Sequence, residues 1–321
     1  MSQVILHYRN ILETGTVISA DENTSFPLYR TYDRDIGKLF KFSTHPANLY
    51  VAVDQGAVIS YEVDRLIIPL THTLNGLDMK LQYSTTPFPI ASVTIGAGGT
   101  SYEVNDVLTL VQLGAAGGTV TVDTVDAGVI TAVSLTTAGT NYRVANGLVT
   151  TGHTGDATIN VVTVDATDAL SWTQGDALVI NKSFAAQTKQ YWRLLITEDP
   201  AAPPEMPEIY LTKDYTFVQN PSYGVREGYQ LNVQRKETGS GRVRKIKSGS
   251  SRRVRNYNLP YFTTADKAAF EAWEAVWDGI KYFYITDTDG TLIYMELLND
   301  LLFTDDAPST WSCELQLLEV L

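Results

Sequence analysis

An internal repeat of forty residues constrains the fold of this chain more strongly than any other sequence feature. The stretch ending in Gly99-Thr100-Ser101-Tyr102 returns as the stretch ending in Gly139-Thr140-Asn141-Tyr142, and Val104 is then matched by Val144. Both copies are dense in Gly, Thr and Val, a composition typical of short strands joined by tight turns. A solenoid needs at least about three units for stability. Two copies therefore predict a small tandem β module.

Short strand-like runs flank the repeat on both sides. They lie at residues 49–53, 63–68, 79–83, 169–172, 177–180 and 191–196. Residues 79–83 alternate between apolar and polar with period two, as a strand with one buried face should. No window in residues 1–90 sustains a helical period, so the sequence predicts strands before the repeat and strands of the same kind after it.

A proline-rich stretch at residues 200–207 predicts an extended linker and a domain boundary. Beyond it, alternating runs separated by Gly-Ser turns predict β-hairpins. Thr263 and Asp266 have the spacing of a helix capping box, and Gly279 is a candidate C-cap. The apolar stripe of this helix consists of Phe270, Trp273, Val276 and Trp277. Residues 209–321 are therefore predicted to form a β domain with one packed α-helix.

Positive charge is concentrated in one segment of a chain whose net charge is −12. Residues 235–255 hold nine of the 24 basic residues and one acid, Glu237, so the remainder has a net charge of −20. The nine are Arg235, Lys236, Arg242, Arg244, Lys245, Lys247, Arg252, Arg253 and Arg255. The segment lacks interleaved aromatic residues that stack on bases, so nucleic-acid recognition is not predicted. It is either a solvated hairpin or, as we favour, an assembly element that pairs with acidic neighbouring subunits.

Motifs that mark common active sites are missing from the sequence. There is no Gly-x-x-x-x-Gly-Lys loop, no His-Glu-x-x-His and no Gly-x-Ser-x-Gly elbow. The only cysteine, Cys313, lies in an alternating run and is expected to be a buried thiol. The histidines, too scattered for a metal site, are His7, His45, His72 and His153. We therefore predict no catalytic residue, no cofactor, no metal and no enzymatic activity.

Two further patterns have both a structural and a functional interpretation. Asp287-x-Asp289-Gly290 begins like a calcium loop, but Leu298 replaces its final Glu, so a hairpin turn is expected. Tyr191 and Trp192 could stack on a sugar, although core packing is the commoner role of strand aromatics. The N-terminus does not resemble a signal peptide and no run has the ~18 apolar residues of a membrane helix. We therefore expect synthesis in the cytoplasm without membrane insertion.

Short motifs in the alternating regions resemble the discoidin, or galactose-binding-like, jelly roll. They are the turn Asp54-Gln55-Gly56, the strand from Tyr61 to Ile68, Ser84, Trp172, and Tyr191-Trp192-Arg193-Leu194. The resemblance implies a discontinuous β-sandwich formed by residues 1–90 and 168–200. The repeat module, residues 91–167, would be inserted in a hairpin between Ser84 and Trp172. The paired cysteines of that family are absent.

Residues 209–321 resemble the tail-tube-like domain of phage distal tail and minor tail proteins. The similarity consists of the long polar hairpin, the Leu259-Pro260 strand end, the Trp-rich helix, a Tyr-Phe-Tyr strand and the Asp-x-Asp-Gly hairpin. The Gly/Thr-rich repeats also resemble modules of phage structural proteins. These resemblances imply a structural subunit of a phage tail tip or baseplate, located in the virion, which forms a homo-oligomeric ring and contacts other tail proteins. The alternative is a carbohydrate-binding module that attaches to a host-surface glycan.

Overall fold

The computed structural model describes residues 3–7, 9–57, 61–217, 226–230, 233–237, 243–247, 250–277 and 282–320. These residues form mainly strands. Two α-helices, α1 (Ile11–Thr14) and α2 (Thr264–Trp277), and a 3-10 turn (Leu28–Thr31) complete the regular structure of this part of the chain. Neither described helix is long and apolar enough to cross a membrane.

The strands are numbered in chain order. Before the repeat they are β1 (Ile5–His7), β2 (Thr16–Ser19), β3 (Phe40–Lys41), β4 (Leu49–Asp54), β5 (Glu62–Ile68) and β6 (Asp78–Ser84). The repeat region contains β7 (Ile90–Ala97), β8 (Val107–Leu110), β9 (Ala116–Asp126), β10 (Val129–Thr140), β11 (Ala145–Thr151) and β12 (Thr158–Val164). Next come β13 (Thr167–Thr173), β14 (Ile180–Thr188), β15 (Tyr191–Ile196), β16 (Glu205–Met206) and β17 (Tyr210–Thr212). The last are β18 (Asp214–Thr216), β19 (Arg226–Gln230), β20 (Val233–Glu237), β21 (Val243–Lys247), β22 (Arg252–Thr263), β23 (Phe283–Thr286), β24 (Leu292–Leu297), β25 (Phe303–Ala307) and β26 (Thr310–Glu319).

The chain divides into two compact units, residues 10–211 and residues 1–9 together with 212–321. In the first unit, a five-stranded sheet of order β13-β6-β15-β4-β2 and a three-stranded sheet of order β14-β5-β17 form a β-sandwich. Their inner faces share one core, in which Trp192 and Val53 of the larger sheet join Leu66 of the smaller. Along β15, the alternate residues Trp192, Leu194 and Ile196 belong to this core.

The repeat module occupies the connection between β6 and β13, which pair antiparallel from Tyr83 and Thr167 to Asp78 and Thr173. Its sheet has the order β10-β9-β8-β11-β12-β7. The first strand of each repeat thus pairs with the last strand of the other, since β10 lies beside β9 and β7 beside β12. The two ends of the sheet also meet, where Ile130 N donates to Gly98 O at 3.0 Å. Because each repeat pairs with a strand of the other at both ends of the sheet, two repeats are sufficient to form the module.

Each repeat places its tyrosine in the centre of the module. Tyr102 and Tyr142 are buried in the module core, and each follows a turn that starts with a left-handed glycine. The Tyr142 hydroxyl donates to Leu110 O at 2.8 Å and accepts from Gly118 N at 3.1 Å. The Tyr102 hydroxyl accepts from Ala157 N at 3.1 Å. These bonds satisfy buried backbone groups that the turns would otherwise leave unpaired.

The second unit is a twisted antiparallel sheet of order β18-β1-β23-β24-β26-β22-β19, with β25 added at β26. Helix α2 begins with the predicted capping box, because Thr263 N donates to Asp266 Oδ2 (2.9 Å) and Asp266 N donates to Thr263 Oγ1 (3.2 Å). Phe270 and Trp273 of this helix are buried in the core of the unit. The side chains of Val276 and Trp277, and Gly279, lie outside the described residues.

The predicted fold class is confirmed: the protein is mainly β, with a sandwich, a small β module and a C-terminal β unit that packs one helix. Three boundaries differ from the sequence prediction. Strand β1 pairs with β18 and β23 of the second unit, because Leu6 is buried in that core. Residues 205–206 of the proline-rich stretch pair with β3, and Met206 is buried. The run at 177–180 is mostly outside β14, and Leu178 is 70% exposed.

Candidate functional site

Eight of the nine basic residues predicted to drive assembly lie on three strands of the second unit. Strands β20 and β21 form a two-stranded sheet that aligns Arg235 with Lys245 and Lys236 with Arg244. Lys247 belongs to β21 as well. Arg242 is outside the described residues, and β22 contributes Arg252, Arg253 and Arg255.

Arg255 differs from the exposed arm residue that its sequence position predicts. Its side chain is buried and its guanidinium forms two ion pairs, with Glu227 (Nη1–Oε2, 2.6 Å) and Asp287 (Nε–Oδ2, 3.0 Å). Asp287 in turn opens the hairpin turn that the sequence predicts, where Gly290 N donates to Asp287 O at 2.9 Å. Arg255 therefore joins β22 to this turn and its charge is already paired within the chain.

Cys313 lies on strand β26 of the second unit. Cys313 is buried, and burial together with the Glu314 charge raises the pKa of its thiol to about 11. Such a thiol is almost fully protonated at neutral pH and a poor nucleophile. Among the described residues, no group of three His, Cys, Asp or Glu side chains could hold a metal ion.

The outer face of the five-stranded sheet carries an ordered set of polar and aromatic side chains. Cross-strand register arranges them in rows, because residues paired across strands point to the same face. The first row is Thr16, Asp54 and Tyr191, and the second is Ile18, Ala52, Arg193 and Gln82. The third is Tyr50, Leu195 and Lys80. This face is the surface on which the repeat module lies.

The module contacts the sheet through its second Gly-Thr-x-Tyr turn and the neighbouring loops. Arg193 Nη1 donates to Tyr142 O at 2.8 Å, and the guanidinium lies 4.1 Å from the centre of the Phe88 ring. The Tyr50 hydroxyl donates to Gly114 O at 2.5 Å. A Cβ on Gly114 would lie 2.7 Å from Ala20 Cα, so only glycine allows this approach. The module is therefore held against the sheet by buried polar contacts.

Two buried arginines share this contact. Arg193 is 1% exposed and Arg143 is 3% exposed, and both guanidinium groups lie near the Tyr50 ring, at 5.8 Å and 5.0 Å from its centre. Burial, followed by the nearby Arg143 charge, lowers the pKa of Arg193 to about 9. Burial lowers the pKa of Arg143 to about 10. Both remain cationic at neutral pH, and the aromatic faces offset part of the cost of burying them.

A cavity of about 300 Å³, the Tyr191 pocket, opens on one side of this contact. Its polar and aromatic lining consists of Thr16, Asp54, Phe88, Thr140, Asn141 and Tyr191. The sheet supplies Thr16, Asp54 and Tyr191 from one row, while the module supplies Thr140 and Asn141. The volume is at the lower end of the range for small-molecule sites.

The hydrogen bonds that orient the Asp54 carboxylate within the described part of the chain all go to one oxygen, Oδ1. Its Oδ1 accepts from Gln190 Nε2 at 2.9 Å and from Gly56 N at 2.8 Å, whereas no described residue donates to Oδ2. The Tyr191 hydroxyl also accepts from Gln190 Nε2, at 3.0 Å. Burial and the Asp54 charge raise the pKa of Tyr191, so the hydroxyl stays protonated and can donate. The pocket thus offers an acceptor, a donor and a half-buried aromatic ring.

Sequence reasoning considered Tyr191 and Trp192 but missed the residues around them. The structure separates the pair, since Trp192 is in the sandwich core and Tyr191 lines the pocket. Alternation along β15 could have indicated that Tyr191 and Arg193 share a face. A second signal was Arg143, the only basic residue of the module. The sequence marked Asp54 only as the start of a turn, because its place in the pocket depends on pairing with β15.

Two sequence comparisons return nothing: no protein-family model matches the chain, and no curated protein matches it. Solved structures give matches of low similarity. Chitosan-binding module 1 from a Paenibacillus sp. IK-5 chitosanase/glucanase is 13% identical, with a TM-score of 0.35 over 65% of this chain and 99% of that one. Module 2 of the same enzyme, in complex with chitotriose, is 10% identical with a TM-score of 0.34 over 64% and 99%. The family 32 carbohydrate-binding module of C. perfringens NanJ, in complex with galactose, is 8% identical with a TM-score of 0.33 over 65% and 99%. At these TM-scores the similarity establishes neither a shared ligand nor a shared site.

Proposed function

We propose that this protein binds carbohydrate and that the Tyr191 pocket holds one sugar ring. The observation that carries the proposal is the lining of the pocket, which combines an aromatic face with a carboxylate oxygen, an amide and hydroxyl groups. Sugars present an apolar face of C–H groups and a rim of hydroxyls that both donate and accept. An aromatic ring matches the face, and carboxylate and amide groups match the rim.

The roles of the individual groups follow from their partners. Tyr191 provides the stacking surface and one donor. Asp54 Oδ2 accepts from sugar hydroxyls, and its orientation is already set by the two bonds to Oδ1. The backbone N–H of Asn141 donates to Pro87 O at 2.7 Å, which fixes the turn. The side-chain amide of Asn141 is then available for the ligand. Such preorganisation lowers the entropic cost of binding.

The test is a glycan array with the full chain, followed by calorimetry on the best saccharide. Tyr191→Ala should lower the affinity by on the order of tenfold or more, because stacking is lost. Asp54→Asn should weaken it as well. Tyr29→Ala is the matched control, since Tyr29 is 49% exposed in the same unit and lies outside the pocket. Failure of every saccharide to bind, or unchanged binding by Tyr191→Ala, would contradict the proposal.

As a second function, we propose that the chain is a ring-forming subunit of a phage tail tip or baseplate, located in the virion and in contact with other tail proteins. What supports it is the β20–β21 hairpin, a separate two-stranded sheet that holds five of the nine clustered basic residues. The rest of the chain is strongly acidic. Several charge pairs formed at once can stabilise assembly, where one exposed pair contributes only ~0–1 kcal/mol. The two functions are compatible in one protein that attaches to a host-surface glycan.

Assembly can be tested by native mass measurement at low and high salt. Changing Arg244, Lys245, Arg252 and Arg253 together to Ser should weaken the higher-order species and leave the melting temperature nearly unchanged. Screening by salt should weaken assembly of the parent as well. The control replaces three lysines outside the segment, Lys38, Lys182 and Lys189, with Ser. If the quadruple variant assembles like the parent at low salt, the segment is a solvated hairpin.

A further inference from the structure

A second cavity, the Arg193 pocket, lies on the other side of the contact between module and sheet. Its volume is about 460 Å³, and its polar lining consists of Asn48, Lys80, Gln82, Asn146, Arg193 and Thr197. Like the Tyr191 pocket, it has a floor formed by the sheet and a wall formed by the module. It differs in that its charged lining residues, Lys80 and Arg193, are both cationic.

The two buried guanidinium groups beside this pocket donate to neutral acceptors. Arg193 donates from Nε and Nη2 to Gln82 Oε1, at 3.1 Å and 2.6 Å, and from Nη1 to a backbone carbonyl. Arg143 donates from Nη1 to Leu113 O at 2.7 Å. All of these acceptors are neutral. Buried charges are usually paired with an opposite charge, so this pair of guanidinium groups is an exception that calls for a functional reason.

The carboxylate that pairs with Lys80 is already engaged. Asp168 accepts from Lys80 Nζ at 2.7 Å and from Gln82 Nε2 at 2.7 Å. It compensates one of the two positive charges that line the pocket, those of Lys80 and Arg193. The pocket therefore has a surplus of positive charge next to a low-dielectric wall, where a charge acts more strongly than in water.

We propose that the Arg193 pocket binds the carboxylate of an acidic sugar residue whose neighbouring ring occupies the Tyr191 pocket. This inference rests on the proposed carbohydrate function and names its ligand class, an oligosaccharide that contains a uronic or sialic acid. Lys80 makes the direct ion pair, because its side chain is 37% exposed and retains donors beyond the one given to Asp168. Arg193 contributes its positive charge from the floor of the pocket.

The two pockets have the spacing that one ligand requires. Tyr191 and Arg193 point to the same face of β15, and residues two apart on a strand are about 7 Å apart. Asn141 lines the first pocket and Asn146 the second, and both belong to the same segment of the module. A saccharide of two or three units can therefore reach both pockets around the Tyr142 contact.

Matched saccharide pairs test the inference in the full chain by calorimetry. The probes are trigalacturonic acid with its carboxyl-reduced form, and sialyllactose with lactose. The acidic member of the pair that binds should bind about tenfold tighter than its neutral partner, the factor expected for a charge-assisted bond. Lys80→Gln should remove most of this preference without changing the affinity for the neutral member. Asp168→Asn should increase the preference, because it removes the compensating charge.

The outcomes separate this inference from the proposed function. Equal affinities within a pair that binds, or an equal loss for both members in Lys80→Gln, would overturn the acidic-sugar inference and leave carbohydrate binding in place. Absence of binding to these pairs and to every glycan of the array would overturn both. A preference that persists undiminished in Lys80→Gln would contradict the assignment of the direct ion pair to Lys80.

Discussion

The two Gly-Thr-x-Tyr turns of the repeat module have the same backbone and face different surroundings. Gly99 and Gly139 have φ angles of 60° and 63°, and Ser101 and Asn141 have 65° and 60°. In both turns the tyrosine is buried in the module core. The sequence repeat is therefore a repeat of local conformation, in which glycine is needed for the left-handed region.

The residue after the tyrosine distinguishes the two turns. Glu103 is exposed and its N–H donates to Asp106 Oδ2 at 2.8 Å. Arg143, at the equivalent position, is buried beside Tyr50 of the sheet, and its N–H donates to Gln112 Oε1 at 2.8 Å. The first turn thus serves the module alone, whereas the second also joins the module to the sandwich and borders both pockets. The same local backbone conformation therefore has a structural role in the first turn and an additional role at the candidate site in the second.

Removal of the whole module is the change with the largest expected effect. Deleting residues 90–167, with a short Gly-Ser linker, should leave both flanking parts folded, because β6 and β13 still pair and loop closure depends only weakly on loop length. Saccharide binding should be lost, since Asn141 and Asn146 are removed. Circular dichroism and calorimetry measure the two results. An unfolded product would mean that the sandwich depends on the module, and retained binding would exclude the second turn from the site.

Truncation of the repeat tyrosines tests what the turns share. Tyr102→Ala and Tyr142→Ala should each lower the free energy of unfolding by about 3–5 kcal/mol, because each side chain is buried in the module core. Urea titration of the full chain, with exposure of the module core as the signal, measures the change in the free energy of unfolding. A cost below about 1 kcal/mol at either site would show that the two turns are not structurally equivalent.

The left-handed positions sharpen the functional difference. Ser101→Ala and Asn141→Ala should each lower the free energy of unfolding by at most about 1–2 kcal/mol, because alanine tolerates φ near 60° poorly. Of the two variants, only Asn141→Ala should weaken saccharide binding, by several-fold. Calorimetry with both variants provides the comparison. Equal effects of the two substitutions on binding would remove Asn141 from the site.

The smallest effect is expected at the exposed residue of the first turn. Glu103→Arg makes this turn resemble the second, yet the side chain at this position is exposed. The free energy of unfolding should change by no more than about 0.5 kcal/mol, as is usual for surface substitutions. Saccharide binding should be unaffected. A large change in thermal unfolding would reveal a partner for the first turn.

Local features of this fold could be predicted from the sequence, and non-local ones could not. The repeat, the strands around Val51, Ile67 and Leu81, and the capping box of Thr263 and Asp266 depend on residues close in sequence. The exchange of strands between repeats and the pairing of β1 with β23 depend on long-range register, which alternation leaves open. The candidate site is of the second kind, because Asp54, Asn141 and Tyr191 meet only after three distant segments pair.

The most direct measurement is hydrogen–deuterium exchange of the full chain with and without the tightest-binding saccharide. We predict slower exchange of amides at residues 50–56, 140–146 and 190–193, and no change at residues 99–105. Protection follows from ligand contact and from stabilisation of the turn against the sheet. Protection at the first turn instead of the second, or at neither, would contradict the assignment of the site to the junction of module and sandwich.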